Sequence, residues 1–322
     1  MRRAARRAAL LILCAVLLCG CTATPPDTLM RSDPADSALI SADTRALTPD
    51  VWEATLYFRY KDTAYLVPEK TALSVQRNES AEKALVQALL DGPRATASAL
   101  APLFPPGTEV LAVSRQGDTL FVTFNEALLG RYGDEPGDAA GKWKTEGPLR
   151  RKLCLDALTA TLTEAGLCAQ VQVLVYRGGG QATSMRLHAG FFTRGADETL
   201  LPPLTRDEES LWTPHNAASA LLNAWMTQNW AALYDFTLRE GAAARPGEQT
   251  AAEAFAGARV LTGFAVSAGN VSLDGQTAVL TADLTLRGEG GDVTRGGYPL
   301  RLRREAGIWK IDYAALTAMM NQ

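Results

Sequence analysis

Histidine is scarce in this sequence of 322 residues, which contains only His188 and His215. The two residues are far apart along the chain and each lies beside a loop. The sequence therefore does not offer the group of histidine ligands that a zinc-type site needs. We predict no metal centre and no bound cofactor.

Cysteine is also scarce, and the five present do not suggest a disulfide framework. Cys14 and Cys19 lie in a leader described below, which leaves Cys21, Cys154 and Cys168. If one helix carries Cys154 toward residue 165, the last two thiols are ~16 Å or more apart at 1.5 Å per residue. That separation exceeds the ~7 Å limit for a bridge. We expect no disulfide and interpret Cys154 as a small core residue.

Long basic runs are absent, and the chain is acidic overall. The formal net charge is −3, and removal of residues 1–20 would delete four arginines and no acids, giving about −7. Binding to a phosphate backbone requires a clustered basic face, whereas the basic runs beginning at Arg150 and Arg301 are short. We therefore predict no nucleic-acid partner.

The sequence also has no apolar run of the roughly 20 residues that a spanning helix needs. Its longest run, Ala8–Leu18, follows four arginines and leads into Leu18-Cys19-Gly20-Cys21. This pattern predicts a lipoprotein signal peptide at 1–20 and a lipobox with Cys21 as the lipidated residue. Acyl chains on Cys21, palmitate among them, would contribute ~0.8 kcal/mol per buried methylene and hold the protein in a bilayer. The alternative is an ordinary secretory signal followed by an incidental cysteine.

Residues 21–51 are rich in Thr, Pro, Ser, Asp and Ala and have no apolar periodicity. Such a composition is typical of a flexible tether. We predict that it holds the folded part on the extracytoplasmic face of the cell membrane.

Alternating and helical patterns begin near Trp52 and predict an α+β domain at 52–192 with the order ββαββαβ. In this interpretation Pro68 closes the first strand pair, Asn78 caps the first helix and Pro148 opens the second helix. The glycine-rich loop from Leu129 to Gly147 is unusually long for a connection and could be an insertion or a binding loop. The predicted strands are Ala54–Tyr60, Ala64–Val67, Val110–Ser114, Thr119–Phe124 and Val171–Tyr176.

Four short motifs occur in this domain in a characteristic order: Tyr65-Leu-Val-Pro68, Ala88-Leu-Leu-Asp-Gly-Pro93, Leu103-Phe-Pro-Pro-Gly-Thr108 and Leu120-Phe-Val-Thr-Phe124. Together they resemble the sporulation and spore-germination domain named GerMN, over about residues 53–187. The resemblance implies a non-enzymatic envelope protein that binds itself or other proteins in sporulation or germination. The strands at Leu56–Tyr60 and Gln172–Tyr176 are the candidate interaction edges.

A polar stretch at 193–210 containing Pro202-Pro203 predicts a linker, and a second domain follows at 211–322. Helical patterns come first in this domain and four strands follow, with turns at Asp274-Gly275 and Gly288–Gly291 that fit hairpins. This order, and a final strand containing Trp309, resemble the nuclear transport factor 2-like family of cone-shaped α+β domains with a curved antiparallel sheet.

The cup of such a domain is the one place where the sequence allows ligand binding or catalysis. Candidate proton-transfer residues there are Tyr234, Asp235, Asp283 and Tyr298, and a carboxylate in that role needs a raised pKa. Asp283 alternates with apolar residues on a strand, so we interpret it as facing solvent and predict no catalytic residue. The alternative function is small-molecule binding in a cup lined by Trp225, Tyr234, Phe236 and Phe264.

Overall fold

The computed structural model describes residues 50–75, 79–97, 99–137, 141–178, 183–240, 245–288 and 291–321. The predicted signal peptide, Cys21, the tether as far as residue 49 and the Asn78 cap lie outside the described residues. The last two residues of the predicted tether, Asp50 and Val51, belong instead to the first strand, where they pair with Val75 and Ser74. Pro49–Gln322 forms one compact unit, so both predicted domains belong to the same body.

The first domain contains two sheets, two long helices and a short one. The first sheet is antiparallel, with the order β2-β1-β3, and the second has the order β4-β5-β6-β7. β5 and β6 run parallel because the long second helix lies between them in sequence and returns the chain to its starting end. The elements are β1 (Asp50–Tyr60), β2 (Leu66–Val75), α1 (Ala81–Asp91), β3 (Leu100–Ala101), β4 (Val110–Gln116), β5 (Thr119–Phe124), α2 (Trp143–Glu164), β6 (Gln170–Arg177), β7 (Thr183–Arg186) and α3 (Gly190–Thr193).

Helix α1 follows the predicted pattern but has a different cap. Ser80 is the N-cap, and its side chain accepts a hydrogen bond from the backbone N–H of Lys83. The helix ends at Gly92, whose φ of 87° a residue with a Cβ would rarely adopt. Leu85 and Leu89, spaced four residues apart, are buried in the core of the first domain.

Two prolines that the sequence analysis predicted at the ends of elements lie inside those elements. Pro68 is within β2, opposite Tyr57, and is tolerated because β2 is an edge strand. The N–H of Tyr57 donates to Oγ1 of Thr161 at 3.2 Å instead of to β2. Pro148 lies in the second turn of α2, because the helix begins five residues earlier, at Trp143. The buried Trp143 side chain and the ion pair between Glu146 and Arg150 stabilise this additional turn.

The predicted edge at Gln172–Tyr176 is not an edge, because β6 is paired with β5 on one side and with β7 on the other. The predicted edge at Leu56–Tyr60 is covered only in part, since β2 pairs along β1 whereas β3 pairs with Arg59 and Tyr60 alone. Neither β3 nor β7 was predicted, since strands of two and four residues carry too little alternation to detect. Among the described residues, the outer strands of these sheets are β2, β3, β4 and β7.

The second domain places helices before strands, as predicted, and its sheet has the order β12-β11-β10-β8, with β9 pairing to β10. Register shifts in β10 near Ala282 and Thr285 bend the sheet, because a bulge increases local twist. The predicted α+β class with a curved antiparallel sheet is confirmed. The elements are α4 (Pro214–Met226), α5 (Trp230–Asp235), α6 (Glu248–Ala256), β8 (Leu261–Val266), β9 (Asn270–Val271), β10 (Thr277–Gly288), β11 (Gly291–Glu305), β12 (Ile308–Ile311) and α7 (Tyr313–Met320).

The segment predicted as a linker packs closely on the first domain. Leu204 and Val171 exchange backbone hydrogen bonds of 2.8 and 2.9 Å. Arg206 donates to the Tyr57 hydroxyl at 3.0 Å and forms an ion pair with Glu164 at 2.9 Å. Its prolines and charged residues therefore mark a packed crossing segment rather than a free spacer.

Candidate functional site

The hairpin between β1 and β2 reaches into the core of the second domain. Tyr60 and Val67 are buried there, and Trp212 is the centre of the contact. Its ring centroid is 5.4 Å from that of Tyr60, 5.2 Å from that of Tyr65 and 5.6 Å from that of Phe236. Its backbone N–H donates to the Leu66 carbonyl at 2.7 Å. The first domain thereby supplies part of the second domain's core.

The predicted lining of the cup is mostly core. Trp225 is only 1% exposed, and its indole Nε1 donates to the Arg259 carbonyl at 3.0 Å. Phe236 is buried under Trp212, and Phe264 is half-buried against the same core. Of the four proposed residues, Tyr234 lines the cleft described below. Large aromatic side chains fill the space in which the sequence interpretation placed a ligand.

The proton-transfer candidates are dispersed. Asp283 is exposed and its Oδ1 accepts a hydrogen bond of 2.7 Å from the Gly297 N–H. Tyr298 packs against the core. Tyr234 and Asp235 alone lie together, in the cleft described next.

A cleft of about 960 Å³ lies where the two domains meet, and we call it the interdomain cleft. The end of β1, the start of β2 and the segment before β3 form one wall. The end of α5, the segment after it and the β11–β12 turn form the other. Its charged and tyrosine side chains are those of Tyr60, Lys61, Glu69, Lys70, Arg94, Tyr234, Asp235, Arg239, Arg245, Glu305 and Lys310.

The three carboxylates of the interdomain cleft all have cationic partners. Asp235 pairs with Lys61 at 2.5 Å, and Glu69 pairs with Arg94 at 2.9 Å. Glu305 accepts from Lys310 Nζ and from the backbone N–H of Arg239, both at 2.7 Å. Burial alone would raise the pKa of Glu305, but these hydrogen bonds outweigh it and the pKa lies below its usual value. The acids of the cleft are therefore neutralised by their neighbours.

Tyr60 is the most buried polar side chain of the interdomain cleft, with 2% of its surface exposed. Burial, and next the charge of Asp235, raise its pKa to about 12, with Arg239 and Arg245 acting in the opposite direction. The hydroxyl therefore remains protonated at neutral pH and is available as a hydrogen-bond donor.

Two turns bordering the interdomain cleft contain non-glycine residues in the left-handed region. Lys61 has a φ of 47° in the β1–β2 turn, and Ala306 has a φ of 51° beside Gly307 in the two-residue turn between β11 and β12. A Cβ at Gly307 would lie 3.4 Å from the Pro68 carbonyl. The β11–β12 turn thus lies close against β2 of the first domain.

We expect Ala306→Gly to raise the free energy of unfolding by about 0.5–1 kcal/mol. Glycine removes the cost of holding a residue with a Cβ at positive φ, which is about 1–2 kcal/mol. Part of this gain is lost because glycine gives the unfolded chain more conformational freedom. Urea unfolding followed by circular dichroism would measure the change. Ala318→Gly in α7 is the matched control and should lower stability, since its backbone is helical. A loss of stability in Ala306→Gly would contradict the turn geometry.

The long loop at 129–147 is organised by charge, and we call its ion pairs the loop network. Arg151 and Glu135, both almost fully buried, pair at 2.8 Å. Arg150 binds both carboxylate oxygens of Asp134 at 2.8 and 3.0 Å, and its guanidinium lies 4.9 Å from the Trp143 ring centroid. These contacts fold the described part of the loop back onto α2.

The loop network extends to the β1–β2 turn through Glu146. Both oxygens of Glu146 accept from Arg59, at 2.5 and 3.1 Å. Arg59 also donates to the carbonyls of Thr63 and Asp62. The hydrogen bond from Arg59 is the largest effect on the pKa of Glu146. Together with the hydrogen bond from Arg150, it holds that pKa below its usual value, although burial acts in the opposite direction.

The cysteine and histidine side chains that the structure describes are Cys154, Cys168, His188 and His215, and they lie apart from one another. Burial raises the pKa of the free thiol of Cys154, which lies in the core as predicted, and Cys168 is a half-buried free thiol. The Nδ1 of His188 donates to the Asp197 carbonyl at 2.8 Å, and His215 lies near the Val266 carbonyl. Within the described residues no group of three His, Cys, Asp or Glu could hold a metal ion. None of the described helices is long and apolar enough to span a membrane.

Comparisons with known proteins agree with this architecture. The family model described as Germane, sporulation and spore germination, matches residues 55–176. The first GerMN domain of the sporulation protein GerM from Bacillus subtilis is 16% identical, with a TM-score of 0.32, over 48% of this chain and 98% of that one. For the tandem GerMN domains of the same protein the identity is 16% and the TM-score 0.32, over 49% of this chain and 46% of that one.

For the second domain, an NTF2-like protein of unknown function in nutrient uptake from Rhodospirillum rubrum is 20% identical, with a TM-score of 0.23, over 30% of this chain and 88% of that one. No curated protein matches this chain. On the family model, residues 55–176 form a GerMN-type domain. The second domain that follows is an α+β domain in which helices precede a curved antiparallel sheet.

Proposed function

We propose that this protein is a lipid-anchored, extracytoplasmic and non-enzymatic component of sporulation or spore germination, in which the GerMN-type domain binds other proteins or a second copy. The observation that carries the proposal is the match of residues 55–176 to the sporulation and spore-germination family model. The lipobox ending at Cys21 supports the anchor. Two lipid chains on that residue would give stable attachment, which a single chain does not.

The outer strands of the four-stranded sheet support a role in protein binding. β4 and β7 present backbone groups without a strand partner among the described residues, and an unpaired edge is a template for a further strand. Leu111 on β4 and Met185 on β7 are exposed apolar side chains beside these edges. These strands take the place of the Gln172–Tyr176 strand, which the sequence interpretation proposed as an edge of this sheet.

Lipidation can be tested at the two neighbouring cysteines. Cells making the wild type, Cys21→Ser or Cys19→Ser would be grown with an alkyne-bearing palmitate analogue, and the protein would then be isolated from membrane and released fractions. We expect Cys21→Ser to abolish labelling and to leave the membrane fraction, while Cys19→Ser keeps both. Labelling of Cys21→Ser at the wild-type level would exclude the proposed anchor.

The biological role requires a test that does not depend on the anchor. A strain lacking the protein would be scored for heat-resistant spores and for germination, and would be complemented with the wild type or with a chain lacking residues 55–176. We expect a defect that only the chain with the GerMN-type domain restores. Normal spore yield and normal germination without the protein would overturn the assignment to sporulation or germination.

A further inference from the structure

The basic character of the interdomain cleft is unusual for an acidic protein. Six cationic side chains line it against three carboxylates, although the whole chain has a formal charge of −3. Each of the three carboxylates already has a cationic partner, and Lys70 pairs with Glu53 outside the cleft lining at 2.7 Å. The guanidiniums of Arg239 and Arg245 remain without a carboxylate partner among the described residues.

The environment of Arg245 holds its guanidinium in place. The central carbon of the group lies over the Tyr234 ring, 3.5 Å from its centroid, and Nη2 donates to the Tyr234 carbonyl at 2.9 Å. Its Nε is buried and has no hydrogen-bond partner within the described part of the chain. A buried N–H without an acceptor is destabilising, so Arg245 retains hydrogen-bonding capacity that the described residues do not use.

The Tyr60 hydroxyl provides a third donor. It belongs to a side chain that is 2% exposed yet lines the interdomain cleft, and no hydrogen bond of this hydroxyl occurs among the described residues. The Tyr60 hydroxyl and the guanidiniums of Arg239 and Arg245 thus retain donor capacity in the interdomain cleft, while the nearby carboxylates of Asp235 and Glu305 pair with Lys61 and Lys310. This set of donors favours an anion, because guanidinium forms short charge-assisted hydrogen bonds with phosphate and carboxylate oxygens.

We propose that the interdomain cleft binds a small anionic molecule, with its phosphate or carboxylate group held by Arg239, Arg245 and the Tyr60 hydroxyl. The volume of about 960 Å³ is near the upper end of the range for small-molecule sites. This site differs from the cup predicted from the sequence, since half of its wall comes from the first domain. The proposal is independent of the lipid anchor and of the role in sporulation.

Isothermal titration calorimetry with the full chain in non-ionic detergent would test the site, using pyrophosphate, citrate and uncharged glycerol as probes. We expect pyrophosphate or citrate to bind and glycerol not to bind. Tighter binding of pyrophosphate would identify a phosphate ligand, and tighter binding of citrate a carboxylate ligand. Raising the salt concentration should weaken the binding, because it screens exposed charges.

Three variants locate the binding. Arg239→Gln removes an exposed charge and should weaken binding at least about tenfold, the effect of one charge-assisted hydrogen bond. Tyr60→Phe, which deletes only the hydroxyl, should weaken it about threefold to tenfold. Arg301→Gln is the matched control, an exposed arginine outside the cleft, and should bind as the wild type does. Absence of binding by both anions, or equal losses in Arg239→Gln and Arg301→Gln, would overturn the proposal.

Discussion

Replacing Trp212 by alanine is expected to lower the free energy of unfolding by about 3–5 kcal/mol, the usual cost of removing a large buried aromatic side chain. The indole is 4% exposed and contacts rings from both domains. The loss should therefore affect the whole described unit and not the second domain alone. Urea unfolding, followed by far-ultraviolet circular dichroism and by fluorescence, would measure it.

Trp230→Ala is the control for Trp212→Ala. Trp230 is half-buried and its ring centroid is 6.3 Å from that of Phe255 within the second domain, so we expect a smaller cost of about 1–2 kcal/mol. A double-mutant cycle between Tyr65 and Trp212 should give a coupling of about 0.5–1.5 kcal/mol. Zero coupling, or a Trp212→Ala cost no larger than that of Trp230→Ala, would show that the hairpin does not complete the second core.

The second large effect on stability is expected when one partner of the buried ion pair in the loop network is removed. Arg151→Met should cost about 3–5 kcal/mol, because it leaves Glu135 buried without its closest cation. The side chains of Arg151 and Glu135 are 2% and 4% exposed. Chemical denaturation of the variant and the wild type at pH 7 would measure the loss.

The double variant Arg151→Met, Glu135→Met separates the charge effect from packing. It should be considerably more stable than either single variant, since no unpaired buried charge remains. Lys70→Met is the control for an exposed pair, whose partner is Glu53, and should change stability by at most about 1 kcal/mol. A double variant as unstable as the sum of the single variants would contradict this account of the loop.

Local sequence signals predicted much of the secondary structure. The spacing of Leu85 and Leu89 and the stop at Gly92 predicted α1, and alternation predicted β5 and β10. Both signals are local, because side-chain periodicity depends on the element alone. Where tertiary contacts outweighed local signals the prediction was wrong: Pro68 lies inside an edge strand, and α2 begins before Pro148.

The candidate site was almost entirely missed. Lys61, Arg239 and Arg245 are isolated basic residues at the ends of elements, with no spacing that marks a ligand site. Only Tyr234 and Asp235 were considered, and for a different cavity. The aromatic residues chosen for the cup were core residues, since large apolar side chains on a helix facing a sheet are mostly packed.

The sequence by itself determined the order of the elements, the α+β class and the motifs of the GerMN-type domain, and it predicts the lipobox at Cys21. The tertiary structure decided which strands are edges, that the first domain's hairpin fills part of the second domain's core, and that Arg239 and Arg245, which have no carboxylate partner among the described residues, line one cleft with a tyrosine of β1. The physical reason is that the features determined by the sequence depend on residues only a few positions apart along the chain. The features decided by the tertiary structure depend on packing between residues more than 100 positions apart, such as Tyr60 and Trp212, for which one sequence carries no local signal.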